Sequence, residues 1–202
     1  AAYDATLELR GKTDVDTHLA AIASSLPELR VQGAKDSVKG TLDKLRSPLT
    51  KLLEDAAPSV RIAAIEALDA LVKDDLGPLY VGLQSSHLEL RVRAAELLAA
   101  RRDEQIVSTM QALIADKELL ARLPQTIIPL RQRAATALAS LGTPKLLRYF
   151  ATELIKDDDL VVCEQAARGV SNASRRGEEG YLLDLLGHKE VAVRSWAGEG
   201  LA

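Results

Sequence analysis

Aromatic side chains are almost missing from this chain of 202 residues. Phe, Tyr and Trp together supply 3% of it, although apolar residues of all kinds reach 47%. A core made of Ala, Leu, Val and Ile without rings to fill a large interior predicts many small helix–helix contacts rather than one thick globule. Cysteine is limited to Cys163, so no internal disulfide can form and nothing calls for an oxidising compartment. No stretch comes near 18 consecutive apolar residues, which excludes a membrane-spanning helix by that criterion. The first residues, AAYDATLELRGK, lack the basic start and apolar centre of a secretion signal. The location expected from these absences is cytoplasmic.

Neither sign of charge dominates. There are 26 basic and 29 acidic residues, a net charge of −3 and a pI near 5.7, without the basic surplus of a dedicated nucleic-acid binder. The three histidines, His18, His87 and His188, stand far apart in the chain, and none has a Glu, Asp or Cys at ligand spacing. Phosphate-gripping glycine loops, a GxSxG elbow and a Cys–His pair are all missing. RRGEEG (175–180) reads as a turn with glycine stops, and Asp157, Asp158 and Asp159 as acids at a helix boundary. No cofactor, metal or catalytic residue is expected.

What the chain does have is repetition. VRIAAIEAL (60–68) returns as LRVRAAELL (90–98) and LRQRAATAL (130–138), with weaker copies LRVQGAKDS (29–37), VCEQAARGV (162–170) and VRSWAGEGL (193–201). The opening apolar anchor falls at 29, 60, 90, 130, 162 and 193, a period of about 31 except for the step of 40 from 90 to 130. Small residues follow four and usually five places on, and apolar ones at seven and eight, which is one face of a helix. A second helical segment precedes most copies: SPLTKLLED (47–55), GPLYVGLQS (77–85), RYFATELIKD (148–157) and GYLLDLLGH (180–188). Pro48 and Pro78 are expected in first helical turns, where a missing N–H costs nothing. The unit is thus helix A, a short turn and helix B.

The phrase VRxxAAxxL opening the second helix of such a pair resembles the HEAT repeat, in particular the short variety of the phycobilisome bilin lyases. The resemblance covers 15–202 in six copies. It implies an all-α fold, an α-α superhelix or solenoid of about six helix-turn-helix repeats, running as a single array over 1–202. Residues 1–14 read as the end of a preceding repeat, and the chain as a window of a longer array. The Arg after the anchor recurs as Arg30, Arg61, Arg91, Arg131 and Arg194, with Cys163 in the weak copy. The family implies a structural ladder for these arginines, with Asp55 and Asp157 at A–B turns as partners. No His-Glu dipeptide is present, which separates the chain from the iron-binding deoxyhypusine hydroxylases of similar architecture.

The step of 40 places an insertion at 117–129, in the third A–B turn of the strong series. Pro124 and Pro129 argue against a simple extension of the helix. Leu119, Leu120, Ile127 and Ile128 make it too apolar for an ordinary solvated loop, so it is either a short helical excursion on the array's edge or a docking element. In the family's arrangement, B helices line the concave face. Positions three and six after the anchor then form outward rows that include Arg93, Arg133 and Trp196, and Glu66, Glu96 and Arg168. The expected function is a non-catalytic scaffold or adaptor that binds a protein partner on this face. The alternatives are an accessory subunit of an enzyme such as a bilin lyase, and nucleic-acid binding by a local strip of Arg93, Arg101, Arg102 and Arg133.

Overall fold

A computed structural model describes residues 4, 6, 14–38, 42–72 and 74–202. Among the described residues there are thirteen α-helices, three short 3-10 helices and no strand. The expected remnant of a repeat at 1–14 lies, apart from residues 4, 6 and 14, outside the described residues. The chain divides into two compact units, Ala1–Leu97 and Leu98–Ala202, where the repeat pattern reads as one array.

The first unit holds α1 (Val15–Ile22), α2 (Pro27–Ser37), α3 (Leu42–Lys51), α4 (Pro58–Leu71), α5 (Gly77–Leu83) and α6 (Leu88–Ala100), within which the boundary falls. The B helices α2 and α4 pack on each other, α1 packs on α2, and α3 and α5 pack on α4. Small residues make this possible. Ala34, Ala64, Ala94 and Ala95 are fully buried, and the anchors Val60 and Leu90 lie beside them in the core. Gly82 of α5 brings its backbone so close to α4 that a Cβ would lie 2.3 Å from Ile65 Cδ1. Pro27 and Pro58 begin their B helices, in the first turn where no N–H is required. Pro48 does not take that role. Helix α3 starts earlier, at Leu42, so that Pro48 is inside it. The reason is the buried series Leu45, Leu49 and Leu52, which continues the apolar face one turn upstream of the segment recognised as helix A.

The second unit holds α7 (Ile106–Ala115), α8 (Lys117–Arg122), α9 (Pro124–Leu141), α10 (Leu147–Thr152), α11 (Leu160–Ala173), α12 (Gly180–Leu185) and α13 (Val191–Leu201). Its B helices α9, α11 and α13 pack in sequence order, with α7, α10 and α12 beside them. Ala134, Ala135, Ala166, Ala167 and Ala197 form the buried stripe. Helix A of the α10–α11 pair ends in a 3-10 turn, Leu154–Lys156, that seats the buried pair Leu154 and Ile155. The same device, Leu52–Glu54, closes α3 in the first unit.

The insertion differs from the expectation that its prolines forbid helix extension. Residues 117–122 form α8, capped by Asp116, whose carboxylate accepts from Leu119 N. After Leu123, helix α9 begins at Pro124 and runs through Pro129. Pro124 takes the first position, where a missing N–H costs nothing, whereas Pro129 lies five residues further in and gives up one bond, which the burial of Ile127 and Leu130 on the same face offsets. The extension also corrects the placing of Ile127 in a docking element. On a helix, Ile127 shares a face with Leu130, Ala134 and Leu138, and it is fully buried with them. Ile128, one place on, is exposed, and Leu119 and Leu120 are half-buried.

Candidate functional site

Five of the six A–B turns are built in the same way. Five places before the anchor, a side chain accepts a hydrogen bond from the N–H two residues on. Ser24 takes it from Leu26, Asp55 from Ala57, Ser85 from His87, Asp157 from Asp159 and His188, through Nδ1, from Glu190. This acceptor holds the chain extended into helix B, as short polar side chains do in turns. Sequence reading missed the recurrence because Ser, Asp and His look unrelated in one column.

Four of the arginines one place after the anchors bond to these turns. Arg30 grips Asp55 with Nε and Nη2, at 2.7 and 2.9 Å, and gives Nη1 to the carbonyls of Ser24 and Ser25. Arg61 is buried. It donates Nη1 to the carbonyls of Asp55 and Ala56, and Nε and Nη2 to Glu89. Glu89 was not anticipated. The following turn has Ser85 where Asp55 would recur, so the acid comes from the first turn of α6 instead. Arg131 donates Nε to Ile114 O and Nη2 to Asp157, and Arg194 donates Nη1 to the carbonyls of His188 and Lys189. Cys163, where the arginine is missing, is buried and points its thiol at the carbonyls of Ile155 and Asp157, and burial pushes its pKa up. Arg91 differs from the rest, since its Nε is buried without a hydrogen-bond partner among the described residues.

These bonds set a pH dependence. The Arg30 guanidinium, with help from Ala57 N and against the cost of burial, holds the Asp55 carboxyl below its ordinary value. Glu89 is lowered as well, burial opposing and the bond from Arg61 prevailing together with smaller contributions. A carboxylate with a depressed pKa in the folded state stabilises the fold above its unfolded pKa, about 4, and that stabilisation is lost as pH falls through the folded value. The α2–α4 region should therefore lose hydrogen-exchange protection below about pH 4. In Asp55→Asn it should be less protected at neutral pH and fall less steeply in acid. An unchanged acid slope would remove Asp55 from this account.

The residues expected to meet a partner fall into separate groups. In the first unit, Arg93 bridges Glu66, with Nη2 at 2.8 Å, and Glu96, with Nη1 at 3.0 Å, so the three half-buried side chains are brought together. In the second unit, the Arg168 guanidinium lies 5.6 Å from the ring centroid of Trp196, and Trp196 Nε1 reaches Glu164 at 3.4 Å. Glu164 was not foreseen, although it stands four residues before Arg168. Arg133 is half-buried on α9. Arg102, one of the candidates for a nucleic-acid strip, has a positive φ of 60° at the end of α6 and donates to Leu141 O. Its guanidinium is engaged within the protein.

A cleft of about 830 Å³ opens beside the insertion in the second unit. Leu120, Ala121 and Ile128 form its apolar side, Glu153, Asp157, Asp158 and Asp159 its acidic side, with Lys117, Arg131 and Lys156 between them. No group of three or more His, Cys, Asp or Glu side chains among the described residues could hold a metal ion. No helix among them is long and apolar enough to cross a membrane.

Comparison with known proteins agrees with the geometry. Residues 45–74, from within α3 to just beyond α4, match the family model described as HEAT repeat. An engineered protein known from a crystal structure aligns at a TM-score of 0.56 and 21% identity, over 94% of this chain and 95% of that one. At that identity the likeness is one of fold. No curated protein sequence matches the chain.

Proposed function

We propose that this HEAT-repeat chain is a non-catalytic interaction scaffold, and that it meets a protein partner on the outward side of its B helices, the concave side in the family's arrangement. One observation carries the reading: Arg168 and Trp196 stand stacked and half-exposed on α11 and α13, with Glu164 beside them. Tryptophan and arginine are the residue types that dominate binding energy at protein interfaces, and a ring already held by a cation and a carboxylate loses little freedom on binding. In the first unit, Arg93 with Glu66 and Glu96 offers a mixed-charge patch that suits steering rather than tight holding.

The test is a cross-linking pull-down from source-cell lysate, with wild type beside Trp196→Ala/Arg168→Glu and Arg93→Glu/Arg133→Glu. A specific protein captured by wild type should be reduced at least about tenfold by the first double variant, with helicity unchanged. Equal capture by all three proteins would overturn the B-helix reading.

A further inference from the structure

The ladder contains one rung that lacks the A–B turn its fellows follow. In Arg30, Arg61 and Arg194, Nη1 is clamped by two consecutive main-chain carbonyls of the rung's own A–B turn: Ser24 and Ser25, Asp55 and Ala56, His188 and Lys189. The residue that follows each pair (Leu26, Ala57, Glu190) is extended, with φ between −82° and −88° and ψ between 120° and 130°. Each of these arginines therefore binds a short extended piece of its own chain. At Arg131 that piece is gone. The insertion has turned positions 124–129 into the start of α9, and Nε takes the single carbonyl of Ile114 instead. Nη2 holds Asp157, and Nη1 has no hydrogen-bond partner among the described residues. Arg131 is more than nine-tenths buried, and it lines the 830 Å³ cleft.

We propose that this cleft binds an extended peptide segment of a protein partner, which restores the missing main-chain carbonyls to Arg131 Nη1. Nη1 is not one of the fully enclosed unpaired side-chain atoms, and a carbonyl arriving there makes a charge-assisted hydrogen bond, roughly twice as strong as a neutral one. The walls specify the rest of the segment. An apolar side chain lies against Leu120, Ala121 and Ile128. A neighbouring lysine or arginine meets Asp158 and Glu153, both exposed. The lining holds four carboxylates against three cations, and Asp157 is already matched by Arg131, so the surplus favours a basic flank over an acidic one. The site is distinct from the B-helix face around Trp196, and it can succeed or fail independently of that reading.

A phage-displayed library of random nonapeptides, panned on the full chain, supplies the probe. Selected peptides should carry an apolar residue beside a lysine or arginine. Their fluorescein-labelled forms should bind at least about tenfold more weakly to Ile128→Asp and to Asp158→Lys, whose side chains are exposed so that helicity by circular dichroism is retained. Replacing the basic residue of the peptide by glutamate should have a comparable effect. Failure to select any peptide overturns the proposal, as does binding indifferent to either variant. Binding abolished by Trp196→Ala and kept in Ile128→Asp would assign the peptide to the B-helix face and overturn the cleft, while supporting that face.

Discussion

Phe150→Ala should lower the stability of the second unit by about 3–5 kcal/mol, measured as the shift of its urea unfolding curve. The ring is fully buried and is the only Phe in the chain. The core is otherwise built mainly from aliphatic side chains, and the adjoining Tyr149 ring, 5.9 Å away, is only half-buried, so the space left by Phe150 is not readily filled. The ring is matched to an absence of side chain on the facing helix. A Cβ built on Gly169 of α11 would lie 2.6 Å from Phe150 Cδ2 and Cε2. Gly169→Ala should therefore cost about 1–3 kcal/mol by overpacking. Part of that cost should vanish in a Phe150→Leu background, where the shorter side chain makes room. The two positions would then be coupled, as residues in direct contact usually are. Strict additivity of the two substitutions would mean that α10 and α11 do not meet through this pair.

The second large effect is expected at Arg61. Replacing it by alanine should cost the first unit about 3 kcal/mol, since a buried guanidinium that serves Glu89 and two turn carbonyls cannot be removed without stranding its acceptors. Glu89 is partly exposed and can turn to water, which keeps the estimate below that for a fully enclosed pair. Arg91 provides the contrast. It occupies the same place in the repeat phrase, yet its buried Nε makes no bond. Arg91→Met should change stability by less than about 1 kcal/mol, because the exchange keeps the apolar stem and removes a polar atom with nothing to pair it. Two arginines that one motif makes equivalent would then differ severalfold in unfolding measurements. Equal losses would show that the motif, not the bonding, decides the cost.

The helix pairs were legible in the sequence because their cause is local. Val60, Leu90, Val162 and the alanines after them recur at the spacing of one helix face, and that face is buried. The position of the arginines was legible for the same reason. What they bond to was not, since an acid in the next repeat is identified only once the repeats are stacked: Arg30 finds Asp55 in the turn, whereas Arg61 finds Glu89 on a helix. Proline misled twice. Pro48 and Pro129 were read as marks of a helix start or a break, and in both places buried leucines or isoleucines on the upstream turn extend the helix past them. Ile127 follows from the same error. An apolar run outside the period was read as surface, while the extended helix carries its first isoleucine into the core and leaves Ile128 outside.

The five A–B turns show that shape and charge are supplied separately in this protein. Ser24, Asp55, Ser85, Asp157 and His188 perform one structural task with three chemistries, so the turn keeps its form whichever of them is present. Only the two aspartates also answer an arginine from the preceding rung. Asp-to-Ser exchanges at these places would erase an ion pair and spare the bend, and the reverse exchange could add an acid with little disturbance. Within each unit these turns behave as interchangeable sockets, whose charge can change from repeat to repeat while the helices keep their seating.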